Sequence, residues 1–183
     1  MLPVDEFGEK MNAIAEAFKR EDFDGGGSLA LELVGLVEES GNPQDAKQYV
    51  WPVKYAVHAL QIQRRWDEII SLVEKHYPLL PAGTLNNWGF INSIMSEAVF
   101  RAGQIEKLPK YAFEAWCARL RASDVSAMKV VSHNTRTFAH EAGRIDQHIV
   151  FLEKVLAFAK EEHIDDLVQP TVDYIEQERS LLD

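Results

Sequence analysis

Four times along this chain a short polar turn is followed at once by one large apolar residue. The segments are Arg20-Glu-Asp-Phe-Asp24, Gln63-Arg-Arg-Trp-Asp67, Arg101-Ala-Gly-Gln-Ile105 and Glu141-Ala-Gly-Arg-Ile-Asp146. They put Phe23, Trp66, Ile105 and Ile145 in equivalent positions, 43, 39 and 40 residues apart, where all four are expected to be buried. Near-constant spacing of this size predicts helix pairs stacked in a row, because one hairpin cannot bury its apolar face alone and must lean on its neighbours. The first interval is the longest, and an insertion at Gly25-Gly26-Gly27 accounts for it.

Between the turns the apolar residues recur at helical spacing, as in Phe7, Met11, Ile14, Phe18, in Leu29, Leu33, Leu36 and in Trp88, Ile91, Met95, Val99, and no strand pattern competes with them. The periodicity predicts helices near residues 5–20, 28–40, 52–64, 66–77, 84–102, 107–121, 124–142, 145–162 and 165–182, with a short extra turn over Pro43–Tyr49. Ser28, Thr84 and the pair Ser123-Asp124 read as N-caps, whose oxygens accept orphan first-turn amides. Pro43, Pro52 and Pro109 suit first-turn positions, and Gly41 reads as a left-handed terminator.

In Ala142-Gly143-Arg144-Ile145-Asp146, with Leu152-Glu153-Lys154-Val155-Leu156 downstream and Pro81 where such a repeat closes, the chain resembles a tetratricopeptide-repeat protein. The resemblance covers four hairpins over residues 5–162. It implies an all-α fold: antiparallel helix hairpins stacked as a short right-handed α-solenoid of about nine helices, one domain over residues 1–183, with the helix at 165–182 as a cap. The period is nearer 40 residues than the family's 34, and Ile69, Leu108 and His148 stand where the family carries a small residue. A looser helical repeat of HEAT type and an irregular bundle are the alternatives.

With 183 residues, 46% apolar and 26% charged, the chain has the composition of one globular domain. Its 29 acidic residues against 19 basic ones give a net charge of -10, which repels a phosphate backbone, so no nucleic-acid partner is expected. Cys117 is alone and cannot form an intrachain disulfide, which agrees with a cytoplasmic location. Asp5, Glu6 and Glu9 near the N-terminus are opposite in character to a signal peptide. The longest charge-free run, Tyr77 to Ser96, contains two prolines and two glycines, so no membrane span is expected.

The sequence offers six histidines but no His-Glu-x-x-His, no Glu-x-x-His and no Cys-x-x-Cys pattern. His133 and His140 share a helix face without an evident third ligand, so no metal is expected. Cys117, in an amphipathic helix, reads as a small buried apolar residue. Asp22 to Leu29 looks like an EF-hand loop, but Leu33 stands where the closing bidentate carboxylate belongs and Gly26 at the fifth ligand position. It therefore reads as a glycine-rich structural turn. Glu161, Glu162, Asp165 and Asp166 read as a solvated face; Lys107, Lys110, Arg119 and Arg121 read the same way or as a basic docking patch. The expectation is no enzyme and no cofactor.

By resemblance, the first helix of each pair lines a concave groove. Its inward positions are then Trp51, Lys54, Tyr55 and His58, followed by Phe90, Ser93 and Glu97, and by His133, Asn134 and Thr137. Aromatic and polar side chains mixed in this way suit recognition surfaces, although Trp51, Tyr55 and Phe90 fit a buried core equally well. The basic-and-asparagine clamp that some tetratricopeptide proteins close on a carboxylate is matched only by Lys54 and Asn134. The reading is a non-catalytic adaptor or scaffold that binds a partner protein segment. The alternative is a helical bundle with an interior pocket for a small apolar ligand or for an unrecognised enzymatic activity.

Overall fold

The structure, a computed structural model, describes residues 3–40, 46–80 and 84–182. It is 84% helical, and no strand occurs among the described residues, so the all-α expectation holds. The helices are α1 (Val4–Lys19), α2 (Phe23–Glu39), α3 (Ala46–Ile62), α4 (Trp66–His76), α5 (Leu85–Arg101), α6 (Leu108–Arg121), α7 (Val125–Glu141), α8 (Ile145–Glu161) and α9 (Asp165–Arg179). A 3-10 turn, Ile105–Lys107, leads into α6. The readings placed on Gly41, Pro43 and Pro81 lie outside the described residues.

One turn geometry ends six of these helices. Glu21, Arg64, Gly103, Ser123, Gly143 and His163 all have positive φ, between 55° and 73°. In each case the next amide donates to the carbonyl five positions back, from Asp22 to Ala17 through Ile164 to Ala159, at 2.8 to 3.0 Å. The left-handed residue's own amide donates three positions back. This is the Schellman arrangement, which satisfies carbonyls that a helix end leaves without partners. The next helix, or the 3-10 turn, starts two residues after each left-handed residue. Phe23, Trp66, Ile105 and Ile145 therefore occupy equivalent places, each the first residue of such an element. Only Ile105 is buried; the others are half-buried.

The first hairpin departs from expectation. Ser28 is not a cap, because α2 starts five residues earlier, where the Asp22 carboxylate accepts the Gly25 amide at 2.9 Å. The three glycines thus lie inside α2 and are neither an insertion nor a turn. Gly26 and Gly27 are buried, and a Cβ on Gly27 would fall 2.5 Å from Ala59 Cβ. That position lets α2 and α3 approach more closely than any side chain permits. Pro52 is interior to α3, not in its first turn, because the extra turn read before it is continuous with the helix from Ala46. Leu29 is exposed; the buried stripe of α2 runs through Ala30, Leu33, Val34 and Val37. Thr84 and Asp124 cap α5 and α7 as expected, accepting from the Asn87 and Ala127 amides. Pro109 sits in the first turn of α6.

Each helix packs on the next along the chain. Contacts α1–α3, α3–α5 and α5–α7 add a layer of odd-numbered helices, and α6–α8 begins a second. One continuous core lies between the layers, built from Leu33, Val57, Ile69, Met95, Tyr111 and Phe151 among others. Burial of such side chains is the main force holding the layers together.

Two polar groups enter that core at the α2–α4 contact. His76 is buried, with Nε2 2.9 Å from Glu38 Oε1, with Lys75 adjacent and the Tyr49 ring 5.0 Å away. Burial pushes the imidazole pKa down, and Glu38 only partly opposes this. A histidine whose folded pKa is depressed binds fewer protons folded than unfolded, so its stability contribution is present above the ordinary value of about 6.5 and lost as pH falls below it. The melting temperature is accordingly expected to fall from about pH 7 to pH 5, with a shallower fall in His76→Gln. His58 and His148 are depressed in the same direction, so the slope shrinks without vanishing.

The turns yield a second expectation. A Cβ at Gly143 would meet no atom within 4 Å, so Gly143→Ala tests backbone strain alone. It should destabilise by about 1 kcal/mol, and Ser123→Gly should stabilise by up to about that amount, in chemical denaturation.

Candidate functional site

The exposed side of the odd-helix layer carries a band of aromatic and cationic side chains. From α1 and α2, Phe18 and Phe23 meet edge-on at 5.5 Å. Phe18 also contacts Tyr55 of α3 at 4.8 Å and His58 at 5.6 Å, and His58 sits edge-on to Phe90 of α5 at 5.6 Å. The Lys54 ammonium lies between two rings, 5.1 Å from Trp51 and 5.4 Å from Phe90. Further along the same helices, Gln61 Nε2 donates to Glu97 at 2.7 Å.

A second cation reaches this face from the other layer. Arg119, on α6, lies over Gly89 of α5, where a Cβ would sit 3.1 Å from its Nε. That Nε is buried without a hydrogen-bond partner, and the nearest acid is Asp124, 3.8 Å from Nη1. Lys54 feels the guanidinium: burial first, then the charge of Arg119, lowers the lysine pKa, while burial and Lys54 together lower that of His58. In a chain of net charge -10 this is a local positive field that the chain's own acids leave only partly compensated.

Two clefts open beside the band. One, of about 260 Å³, lies between α5, α6 and α7 and is lined by Ser93, Ser96, Arg119, Val130, Asn134 and Phe138. The other, of about 390 Å³, is lined by Gln61, Arg64, Trp66, Glu97 and Arg101. Of the residues singled out from the sequence, Trp51, Lys54, Tyr55, His58 and Phe90 come together in the band, Ser93 and Asn134 line the first cleft, and Glu97 lines the second. His133 is exposed and Thr137 half-buried, and neither lines a cleft. Trp51 is 40% exposed, whereas Tyr55 and Phe90 are half-buried against the core.

Sequence reasoning overlooked Gln61 and Phe138, although each continues the face at helical spacing from a chosen residue, and Phe18, which lies on a helix where no residue was chosen. It also placed Arg119 on a solvated or docking face of its own helix. No spacing rule could bring Arg119 here, because its guanidinium crosses between layers over a glycine. Cys117 is buried, as expected, and burial pushes its thiol up to about 12, far from the thiolate form.

Polar side chains also converge where α7, α8 and α9 meet. Glu178 is fully buried. Arg136 Nε donates to its Oε1 at 2.7 Å, His140 Nε2 lies 2.6 Å from Oε2, and His148 Nδ1 lies 3.4 Å from the same oxygen. Burial alone would push the Glu178 carboxyl pKa up, but hydrogen bonds from His140 and Arg136 outweigh it and hold the group below its ordinary range. Burial pushes the His148 imidazole pKa down.

No protein-family model matches this chain, no curated protein matches it significantly, and no solved structure matches it significantly. No helix among the described residues is long and apolar enough to cross a membrane.

The burial pattern separates two aromatics that the sequence treats alike. Tyr55→Ala, which removes a ring wedged on Phe18, should lower stability by about 2 kcal/mol or more, whereas Trp51→Ala should leave it within about 0.5 kcal/mol. Thermal and urea unfolding of the two variants check this directly.

Proposed function

We propose that this chain is a non-catalytic interaction module that binds an acidic segment of a partner protein across its odd-helix face. The observation that carries the reading is the pair of cations, Lys54 and Arg119, held on one face with an exposed indole at Trp51 and a cleft beside them. Electrostatic complementarity steers and orients a charged partner, and a rigid exposed aromatic supplies anchoring area with little entropy loss. The resemblance to tetratricopeptide repeats supports the same reading: there the first helices of successive pairs line a concave, right-handed groove, and here Lys54, Ser93 and Asn134 stand on those helices. Arg119 adds a cation to the incomplete clamp read from sequence, so a carboxylate, terminal or side-chain, is the group this face would orient. A cytoplasmic scaffold that holds partners together is the role in keeping with this chemistry.

Panning a library of random peptides against the purified protein tests the proposal. Acidic peptides with an apolar residue should be enriched, and their affinity should fall about tenfold or more in Trp51→Ala and in Lys54→Glu, with melting temperatures unchanged. Enrichment of no peptide, or binding indifferent to both substitutions, would overturn it.

A further inference from the structure

We propose that His140, His148 and Glu178 form a binding site for a divalent transition metal of the zinc class. The three residues come from three helices, α7, α8 and α9, and their donor atoms all lie within 4.8 Å of one another. Two imidazole nitrogens and a carboxylate oxygen are a donor set suited to Zn²⁺, whereas Ca²⁺ and Mg²⁺ require six or more oxygens.

Burial argues that this convergence is more than a polar tie. Glu178 is fully buried, and Arg136 occupies only its Oε1, so Oε2 faces both imidazoles. His148 Nδ1 is itself buried, and the polar atom it faces is that same Oε2 at 3.4 Å, beyond the length of a good hydrogen bond. A buried polar atom left in that state is destabilising, and it calls for an explanation such as a ligand. A metal bound there would take the lone pair of His148 Nδ1 and replace the sharing of Oε2 by two imidazoles.

The geometry requires little adjustment. Zinc bonds of 2.0–2.1 Å in a tetrahedron set neighbouring donors about 3.3 Å apart. His148 Nδ1 and Glu178 Oε2 are already 3.4 Å apart. His140 must back away from its present 2.6 Å, and its side chain, 32% exposed, has room to turn and provides the route of entry from solvent. Arg136 then serves as the outer partner that fixes the carboxylate, a role ligating carboxylates commonly require. The buried His76–Glu38 pair offers only two donors. Three protein ligands leave a fourth position open on the His140 side, so the site either binds water or takes a donor from a partner.

The metal-free 183-residue chain, titrated with Zn²⁺ against a chromophoric chelator, tests the proposal, with Co²⁺ as a spectroscopic probe of the site. One equivalent should bind per chain, and Co²⁺ should give the visible absorption of a four- or five-coordinate site. His140→Gln and His148→Gln should each weaken zinc binding at least about tenfold, and His133→Gln, on the exposed face of α7, should not. Glu178→Gln removes a buried charge and is informative only if circular dichroism shows a native helix content; the half-exposed His140 keeps the test decisive if it does not. Absence of saturable zinc uptake by the wild-type chain, or unchanged affinity in the His140→Gln/His148→Gln double variant, would overturn the proposal.

Discussion

The fold depends on one repeated piece of backbone chemistry, the left-handed residue that closes a helix through a five-back hydrogen bond. Each such turn ends one helix and aims the next within three residues, which forces consecutive helices into contact. From Gly103 onward the left-handed residues fall every 20 residues, at 103, 123, 143 and 163. Between them lie 17-residue helical segments, α7 and α8 and, counting its 3-10 entry, α6. Four of the six turns carry a side chain in a conformation that disfavours one by roughly 1–2 kcal/mol, which the packing of the adjoining helices must offset.

Within this regular frame, the specific features come from side chains that cross between helices at places where something small yields. Gly27 admits Ala59, so α2 and α3 sit close, and Gly89 admits Arg119, so a cation from one layer appears on the face of the other. The charged band on the odd helices is therefore a product of packing as much as of surface composition. The charge of Arg119 acts unfavourably on Lys54, and the ring faces of Trp51 and Phe90 stabilise the ammonium against it.

The C-terminal helix is held by a different device. A fully buried carboxylate is stabilising only when all its partners are in place; removing one leaves an uncompensated charge worth several kcal/mol. Glu178 draws Arg136 and His140 of α7 and His148 of α8 onto one point of α9. Ile175 and Thr171 complete the contact. Hydrophobic area alone would seat α9 on α8 in several registers, whereas a buried carboxylate with fixed donors accepts one.

What the sequence by itself determined was periodicity and punctuation: the all-α class and the turns after which an element begins at Phe23, Trp66, Ile105 and Ile145. These follow from local rules, since a helix face and a turn are each read within a few residues. Trp51, Lys54 and His58 share a side of α3 through helical spacing, and the packing of α3 on α5 brings Phe90 to them. The glycines of α2 misled, because Gly25-Gly26-Gly27 has turn composition, whereas the Asp22 cap and the close approach to Ala59 place them in a helix. Pro52 misled likewise, since its propensity favours a helix start and the packing of Tyr49 and Val50 extends the helix past it. The arrival of Arg119 beside Lys54, and the meeting of His140, His148 and Glu178 from positions up to 38 residues apart, were decided by tertiary structure alone. Such contacts depend on interhelical distance and axial register, which are set by the summed packing of whole helix faces and leave no mark in the spacing of any one segment.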